Sequence, residues 1–255
     1  IAGYRGQYQF ALSKYLEQAE ATQDAGVAAR TTRLANYLKD NRSILQASSI
    51  WVQADPDNLE ARHYLVDQLI RQRDYVQAMS HMQEIKRLGG EARFDIFAYR
   101  VAGMDIQDRR NLLASVVEML KSYPEERHLQ FTQAALLEQL GERESAMQIV
   151  ELLLADEAHV NLVILKVNLL RGLGQNAGII AFLETQIEAG LDSRRLRVMY
   201  ARQLFDADRR QDAKLQYQVL LSDDPEDDEV VFALALLAMS EEDDSTARRY
   251  LNRMI

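Results

Sequence analysis

The sequence predicts an all-α chain of helix pairs stacked one on the next, and three observations carry that expectation. Its only prolines, Pro56, Pro124 and Pro225, lie 68 and then 101 residues apart, which is two periods of 34 and then three periods less one residue. The stretch Leu59 to Gly90 reads as two amphipathic helices broken at Gln72-Arg73-Asp74, and the same pattern returns at a spacing of 33 or 34 residues on both sides of it. Leu, Ala and Met are plentiful and β-branched clusters few, so the composition favours helix. A fixed period in this range is the signature of a helical-pair solenoid, in which each unit packs only on its neighbours.

Taken in order, residues 1–24 look like the second half of a repeat, with a turn-then-helix shape at Gly6-Gln7-Tyr8 like that at Arg73-Asp74-Tyr75. Complete frames follow near 25–58, 59–92, 93–126, 127–159, 160–193 and 194–227, and a last one at 228–255. Each frame should break once in its middle: at Lys39-Asp40-Asn41, Arg73-Asp74, Gln107-Asp108, Gly141-Glu142, Gly174-Gln175, Asp208-Arg209 and Glu242-Asp243. Gly, Asn and Asp suit such breaks because they tolerate turn dihedrals or hydrogen-bond the local backbone.

The second helix of each frame repeats a small or aliphatic residue at one place: Ala11, Ile44, Ala78, Leu112, Ala146, Ile180, Ala213 and Ala247. Four residues on stand Tyr15, Ser48, Met82, Val116, Val150, Leu183, Tyr217 and Leu251, and three further on Trp51, Ile85, Met119, Leu153, Leu220 and Met254. Steps of four and three share one helix face, so these are the buried stripe. Alanine at the first place lets paired helices approach closely. Proline ends the preceding helix at Asp55-Pro56-Asp57, Tyr123-Pro124-Glu125 and Asp224-Pro225-Glu226, because the residue before it is pushed out of the α region. The acids that follow sit at helix starts, where the dipole favours them.

This pattern resembles the tetratricopeptide repeat (TPR) family over essentially the whole chain. The family's small residue of the first helix is met by Ala134, Ala201 and Ala235, its second-helix alanine by Ala78, Ala146, Ala213 and Ala247, and its closing proline by all three prolines. The resemblance implies a right-handed superhelical solenoid of antiparallel helix pairs, about seven repeats plus a partial one at the N-terminus. Arg100, Gly103, Gln133 and Lys166 depart from the family pattern, which marks 93–126 and 160–193 as the degenerate repeats.

Chemistry finds little support. With no cysteine there is no disulfide or thiolate site. The four histidines, His63, His81, His128 and His159, lack metal-binding helical spacing, and no catalytic motif is present. Gly172-x-Gly174-x-x-x-Gly178 falls at a helix–helix turn with no strand before it, which fails the context of a dinucleotide loop. The expectation is a non-enzyme without metal or cofactor. A net charge of −9 argues against nucleic-acid binding, and no run is long and apolar enough to span a membrane. The acidic runs Asp223–Glu229 and Glu241–Asp244 read as helix starts and solvated turns. Arg194, Arg195, Arg197, Arg202, Arg209 and Arg210 lie just upstream, so oppositely charged neighbours could attract each other or a second copy.

First helices line the concave side of a TPR array, so the resemblance implies a protein or peptide segment as partner. The groove positions are Arg30, Arg33, His63 and Tyr64 at the N-terminal end, then Phe94, Phe97, Val101, Phe131, Ile164, Val198, Arg202 and Phe232. The apolar ladder from Phe97 to Phe232 is expected to be an exposed binding surface, against a competing reading as a half-buried packing layer. The junction between the charged and the apolar parts, at Leu59 to Gly90, is where a partner's end should be read. The lysines and asparagines of a chaperone-carboxylate clamp are absent. The final helix carries Leu251, Met254 and Ile255 with no polar cap after it, so the chain is expected to be a piece of a longer array whose ends self-associate. It is similar, loosely, to bacterial outer-membrane-tethered TPR lipoproteins that act as adaptors for a C-terminal processing protease. That implies a periplasmic scaffold, the cytoplasm being the alternative. A structural assembly factor for cell-envelope machinery, or a TPR segment appended to an enzyme domain, are the competing readings.

Overall fold

The computed structural model describes residues 2–254, with side chains from Gly6 to Met254. The helices are α1 Ala2–Thr22, α2 Ala25–Leu38, α3 Asn41–Ala54, α4 Leu59–Arg71, α5 Tyr75–Arg87, α6 Asp95–Ala98, α7 Ile106–Ser122 and α8 Arg127–Leu140. They continue as α9 Arg143–Asp156, α10 Val160–Gly172, α11 Ile179–Glu188, α12 Arg194–Asp206, α13 Arg210–Asp223, α14 Asp228–Ser240 and α15 Asp244–Leu251. Short 3₁₀ turns precede α7, at Val101–Gly103, and α11, at Asn176–Gly178. No strand occurs among the described residues. Two compact units divide the chain, Ile1–Glu142 and Arg143–Ile255, and in each the helices pack as antiparallel pairs in chain order.

The repeat is written in the backbone. Lys39, Arg73, Gly141, Gly174, Asp208 and Glu242 all have positive φ, between 58° and 88°, at six of the seven expected breaks. In each case the next amide turns back to the carbonyl five residues earlier: Asp40 to Ala35, Asp74 to Leu69, Glu142 to Leu137, Gln175 to Leu170, Arg209 to Leu204 and Asp243 to Ala238, all at 2.8–2.9 Å. A left-handed residue after the last helical turn satisfies carbonyls that would otherwise be orphaned. Asp40, Asp74 and Asp243 then cap the next helix by accepting the amides of Ser43, Gln77 and Thr246.

Between repeats, α3, α7 and α13 end two residues before their prolines, at Ala54, Ser122 and Asp223. Most of the expected second-helix stripe is buried, but Ala11, Ile180 and Leu251 are half-buried and Tyr15 of α1 is exposed. Ala78, Ala146 and Ala213 have no exposed surface, and Ser48, Val116, Val150 and Leu183 lie beneath the same face. In the second unit Val163, Ile179, Leu183, Leu196, Leu204 and Leu234 join one core. Each such side chain contributes about 1.5–3 kcal/mol by leaving water.

Three expectations need correction. Gly6 makes no turn, because α1 runs through it. The break at Gln107-Asp108 is not there: both residues are helical, and α7 starts at Ile106 behind an N-cap at Asp105, whose carboxylate accepts the amide of Asp108 at 2.8 Å. An earlier capping aspartate has captured the helix start, and the extended Met104 (ψ 148°) links it to the 3₁₀ turn. Met254 does not continue the last buried stripe; α15 stops at Leu251 and Met254 is exposed, while Ile255 lies outside the described residues.

One device escaped the sequence reading. An arginine at the start of a second helix reaches the end of the next first helix about 30 residues on. Arg109 donates to the carbonyls of Val101 (3.0 Å), Ala102 and Gln139 (both 3.3 Å), and Arg210 to that of Ser240 (2.8 Å). Arg143 passes over Gly172, where a Cβ would stand 2.3 Å from its Nε. A cation at a helix C-terminus is favoured by the dipole and by the unpaired carbonyls there.

Candidate partner-binding surface

The structure sorts the expected groove residues into three groups. Phe94 and Phe97 have no exposure at all, and Val101, Phe131 and Val198 are also buried. These five are core, and the ladder reading is corrected for them. For Phe94 and Phe97 the reason is the shortness of α6: one helical turn cannot fill a repeat's share of the interior, so its aromatics turn inward, while Val198 joins the core of the second unit. The Phe94 carbonyl is tied down by Thr132 Oγ1, which donates to it at 2.9 Å, and Tyr99 lies across Phe131 at 6.3 Å. Tyr64 and Ile164 are half-buried against neighbouring cores. Arg30, Arg33, His63, Arg202 and Phe232 are exposed.

Two of the exposed arginines are committed. Arg33 makes a bidentate pair with Glu60 (2.9 and 2.5 Å) and lies 5.2 Å over the Trp51 ring. Glu60 holds the guanidinium more firmly protonated, and its own carboxyl is lowered by the same hydrogen bond. Arg202 donates to Glu229 at 2.7 Å, while Arg194 binds Asp227 (2.6 Å) and Glu229 (2.5 Å). Lys214 reaches Glu241 at 3.2 Å. The acidic runs are therefore answered in part by the arginines and lysine upstream.

The histidines are also placed. His159 caps α10 by accepting the Leu162 amide, and His128 lies 3.3 Å from buried Asp95. His81 stands 3.0 Å from the buried Arg62 guanidinium. Among the described residues no group of three or more His, Asp or Glu side chains could hold a metal ion, and no helix is long and apolar enough to cross a membrane.

His63 opens onto a cleft of about 350 Å³. Val66 and Ile70 of α4, Met82 of α5 and Ile96 of α6 form its apolar floor, and His63, Asp67, Glu91 and Arg93 its rim. Its origin is the irregular third repeat. A regular frame would lay a first helix of three turns or more along α4; here residues 91–94 are non-helical and α6 lasts a single turn. The face of α4 left uncovered is the cleft. Its size is at the lower end of the range for ligand pockets, and an apolar floor with a few polar groups at the rim is the usual composition. Arg93 is held there by Asp95 at 3.0 Å. Burial pushes the Asp95 carboxyl up, but Arg93, His128 and Tyr99 together hold it below its ordinary value. Of these eight residues the sequence reading placed only His63 in the groove and took Met82 as buried stripe. The departures at Arg100 and Gly103 were the signal that marked this repeat as irregular.

No family model matches the chain. The TPR repeat-containing protein PA4667 of Pseudomonas aeruginosa is 33% identical over 201 residues, which is 79% of this chain and 34% of that protein. The antiparallel pairs, the left-handed breaks 33 or 34 residues apart and the buried second-helix alanines accompany that likeness. These are tetratricopeptide-type repeats. The chain spans about a third of the length of the curated TPR relative it matches. Among solved structures, YrrB, described as a TPR protein with an unusual peptide-binding site, overlaps 81% of this chain and 90% of its own at 11% identity and a TM-score of 0.45. A thermophilic TPR protein of Thermus thermophilus, TTC0263, overlaps 78% of this chain and 92% of its own at 18% identity and a TM-score of 0.38.

Proposed function

We propose that this TPR chain is a non-enzymatic scaffold that takes a segment of another protein into the cleft between α4 and residues 91–96. The observation that carries it is the cleft itself: an apolar floor opened by a repeat whose first helix is cut to one turn, with His63, Asp67, Glu91 and Arg93 at the mouth. A preformed surface of this kind limits the ordering cost on the protein's side of the complex. An aliphatic or aromatic side chain of the partner fills the floor, and the mixed-charge rim fixes its flanks. The finer reading is a bacterial adaptor, tethered at the outer membrane and facing the periplasm, that brings substrates to a C-terminal processing protease. Its support is the bacterial TPR relative and the leucine- and alanine-rich degenerate repeats.

A photo-crosslinking residue placed at His63, and separately at the exposed Val76 of α5, tests the site in cells. The expected result is a discrete crosslinked partner from position 63 that disappears with Asp67→Lys and Glu91→Lys, and none from position 76. Equal crosslinking at both positions would overturn the cleft assignment. The adaptor reading is checked by identity and rate: the crosslinked species should be a processing protease or its substrate. Adding the chain should speed cleavage in a purified reaction.

A further inference from the structure

The arginine that ties a second helix to the next first helix is missing at one junction, and a cleft lies there. From the third repeat on, its place is held by Arg109, Arg143, Asn176 and Arg210, at steps of 33 or 34. Asn41 and Tyr75 hold it in the two frames before. Arg109 donates to the Gln139 carbonyl, Arg210 to that of Ser240, and Arg143 passes over Gly172. Gln139, Gly172 and Ser240 each stand two residues before a left-handed break, and the residue at that place in α12 is Asp206. The amide side chain of Asn176 does not reach it. Among the described residues nothing donates to the Asp206 carbonyl.

Asn176 and Asp206 both line a cleft of about 620 Å³, a size within the range of ligand pockets. Ala177, Ile180 and Ala207 give it an apolar wall, and Arg171 and Gln203 complete it. Helices of the same unit precede and follow it in the chain, so no end of the sequence opens it.

The chemistry that fits is that of the side chain used at the other junctions. Helices α10 and α12 both end at the cleft, and helix C-termini favour a cation. The start of α11 is there too, but Arg143 and Arg210 cross from equivalent helix starts. Asp206 adds a carboxylate, which accepts from the neutral Gln203 amide at 3.2 Å. Just beyond it Asp208 is paired with Arg210, and Arg209 with Asp212. Arg171 is the one cation on the lining, at a place held by Glu138 and Phe205 in the flanking frames. It disfavours a bare cation and favours one that brings a carboxylate with it.

We propose that this cleft takes an arginine of another protein with an acidic residue beside it in the sequence. The guanidinium donates to the carbonyl and carboxylate of Asp206, and the acidic neighbour meets Arg171. The site shares no residue with the α4 cleft and stands without it.

The probe is the capped peptide Ser-Gly-Arg-Glu-Gly-Ser, titrated into the full chain and followed by amide NMR. The signals of Ala177, Ile180 and Ala207 should shift. A twin with citrulline for arginine keeps the shape and loses the charge, and it should bind about ten-fold more weakly. A twin with glutamine for glutamate should bind about three-fold more weakly, a gap that closes in salt. Asn176→Arg, at an exposed site, should supply the guanidinium from within: the peptide shifts disappear and the urea midpoint rises. Asp206→Asn should narrow the preference for arginine over citrulline. No shift at these amides with millimolar peptide, equal affinity of the citrulline twin, or undiminished binding by Asn176→Arg would overturn the proposal. If a twin with serine for arginine binds as tightly, Arg171 holds an anion alone and the proposal falls. Variants at Asp67 and Glu91 should leave every one of these readings in place.

Discussion

Repeats 59–92 and 93–126 have the same length and follow one another, yet only the first is regular. In 59–92, Arg73 turns left-handed, Asp74 caps α5, and the pair α4 and α5 has 13 residues in each helix. In 93–126 no residue is left-handed, α6 has four residues, and α7 has grown to 17. The residues lost from the first helix were not gained elsewhere as packing. They became a 3₁₀ turn and irregular backbone, held by Arg109 and Thr132, and the shortfall opened the cleft. A repeat array thus makes a site by damaging one unit while its neighbours keep the register.

The largest test of that contrast sits at one position of two frames. Phe97→Ala should cost about 3–5 kcal/mol in urea unfolding, because a fully buried ring is removed. Phe232→Ala, at the equivalent exposed place, should stay within about 0.5 kcal/mol. A double change of Phe97 and Phe131 to glutamate therefore reports on folding, not on a groove.

Next comes the arginine that holds the irregular segment. Arg109→Ala should destabilise by about 1–3 kcal/mol, since three carbonyls lose a charged donor. Arg210→Ala, which frees one carbonyl, should cost about 1 kcal/mol. Equal losses for the two would mean that Arg109 is no special tie.

Acid should separate the two repeats by the pH at which stability is lost. Burial, and then the charge of Arg62, lower the His81 pKa below its ordinary 6.5. The unfolded chain then binds the proton more readily, so stability is full above 6.5 and declines as pH falls below it. His81→Gln should flatten that slope in thermal melts across this window. Asp95, in the irregular repeat, is held below its ordinary 3.8. Its contribution is present above 3.8 and is lost only as pH falls through the lowered value, so Asp95→Asn should matter at neutral pH and little in strong acid.

The smallest effect is at Gly103. Its φ is not positive and an added Cβ would meet nothing within 4 Å, so Gly103→Ala should stabilise by about 0.5 kcal/mol, read from the urea midpoint. A clear loss would show that the short 3₁₀ turn needs glycine after all.

The sequence by itself determined the period, the helix pairs, the buried second-helix stripe and the two irregular repeats. Those follow from local chemistry: proline and capping aspartates set the ends, and steps of four and three set the inner face. It did not determine how far 93–126 departs, because Asp105 and Asp108 are both competent caps and only packing chooses between them. Nor did it determine that Phe94, Phe97, Phe131 and Val198 are core while Phe232 is not. An aromatic at that place looks the same in every frame; whether it is covered depends on what packs against it. The cleft was visible only as an irregularity, since a volume left empty is set by what the surrounding helices fail to fill, and that belongs to the tertiary structure.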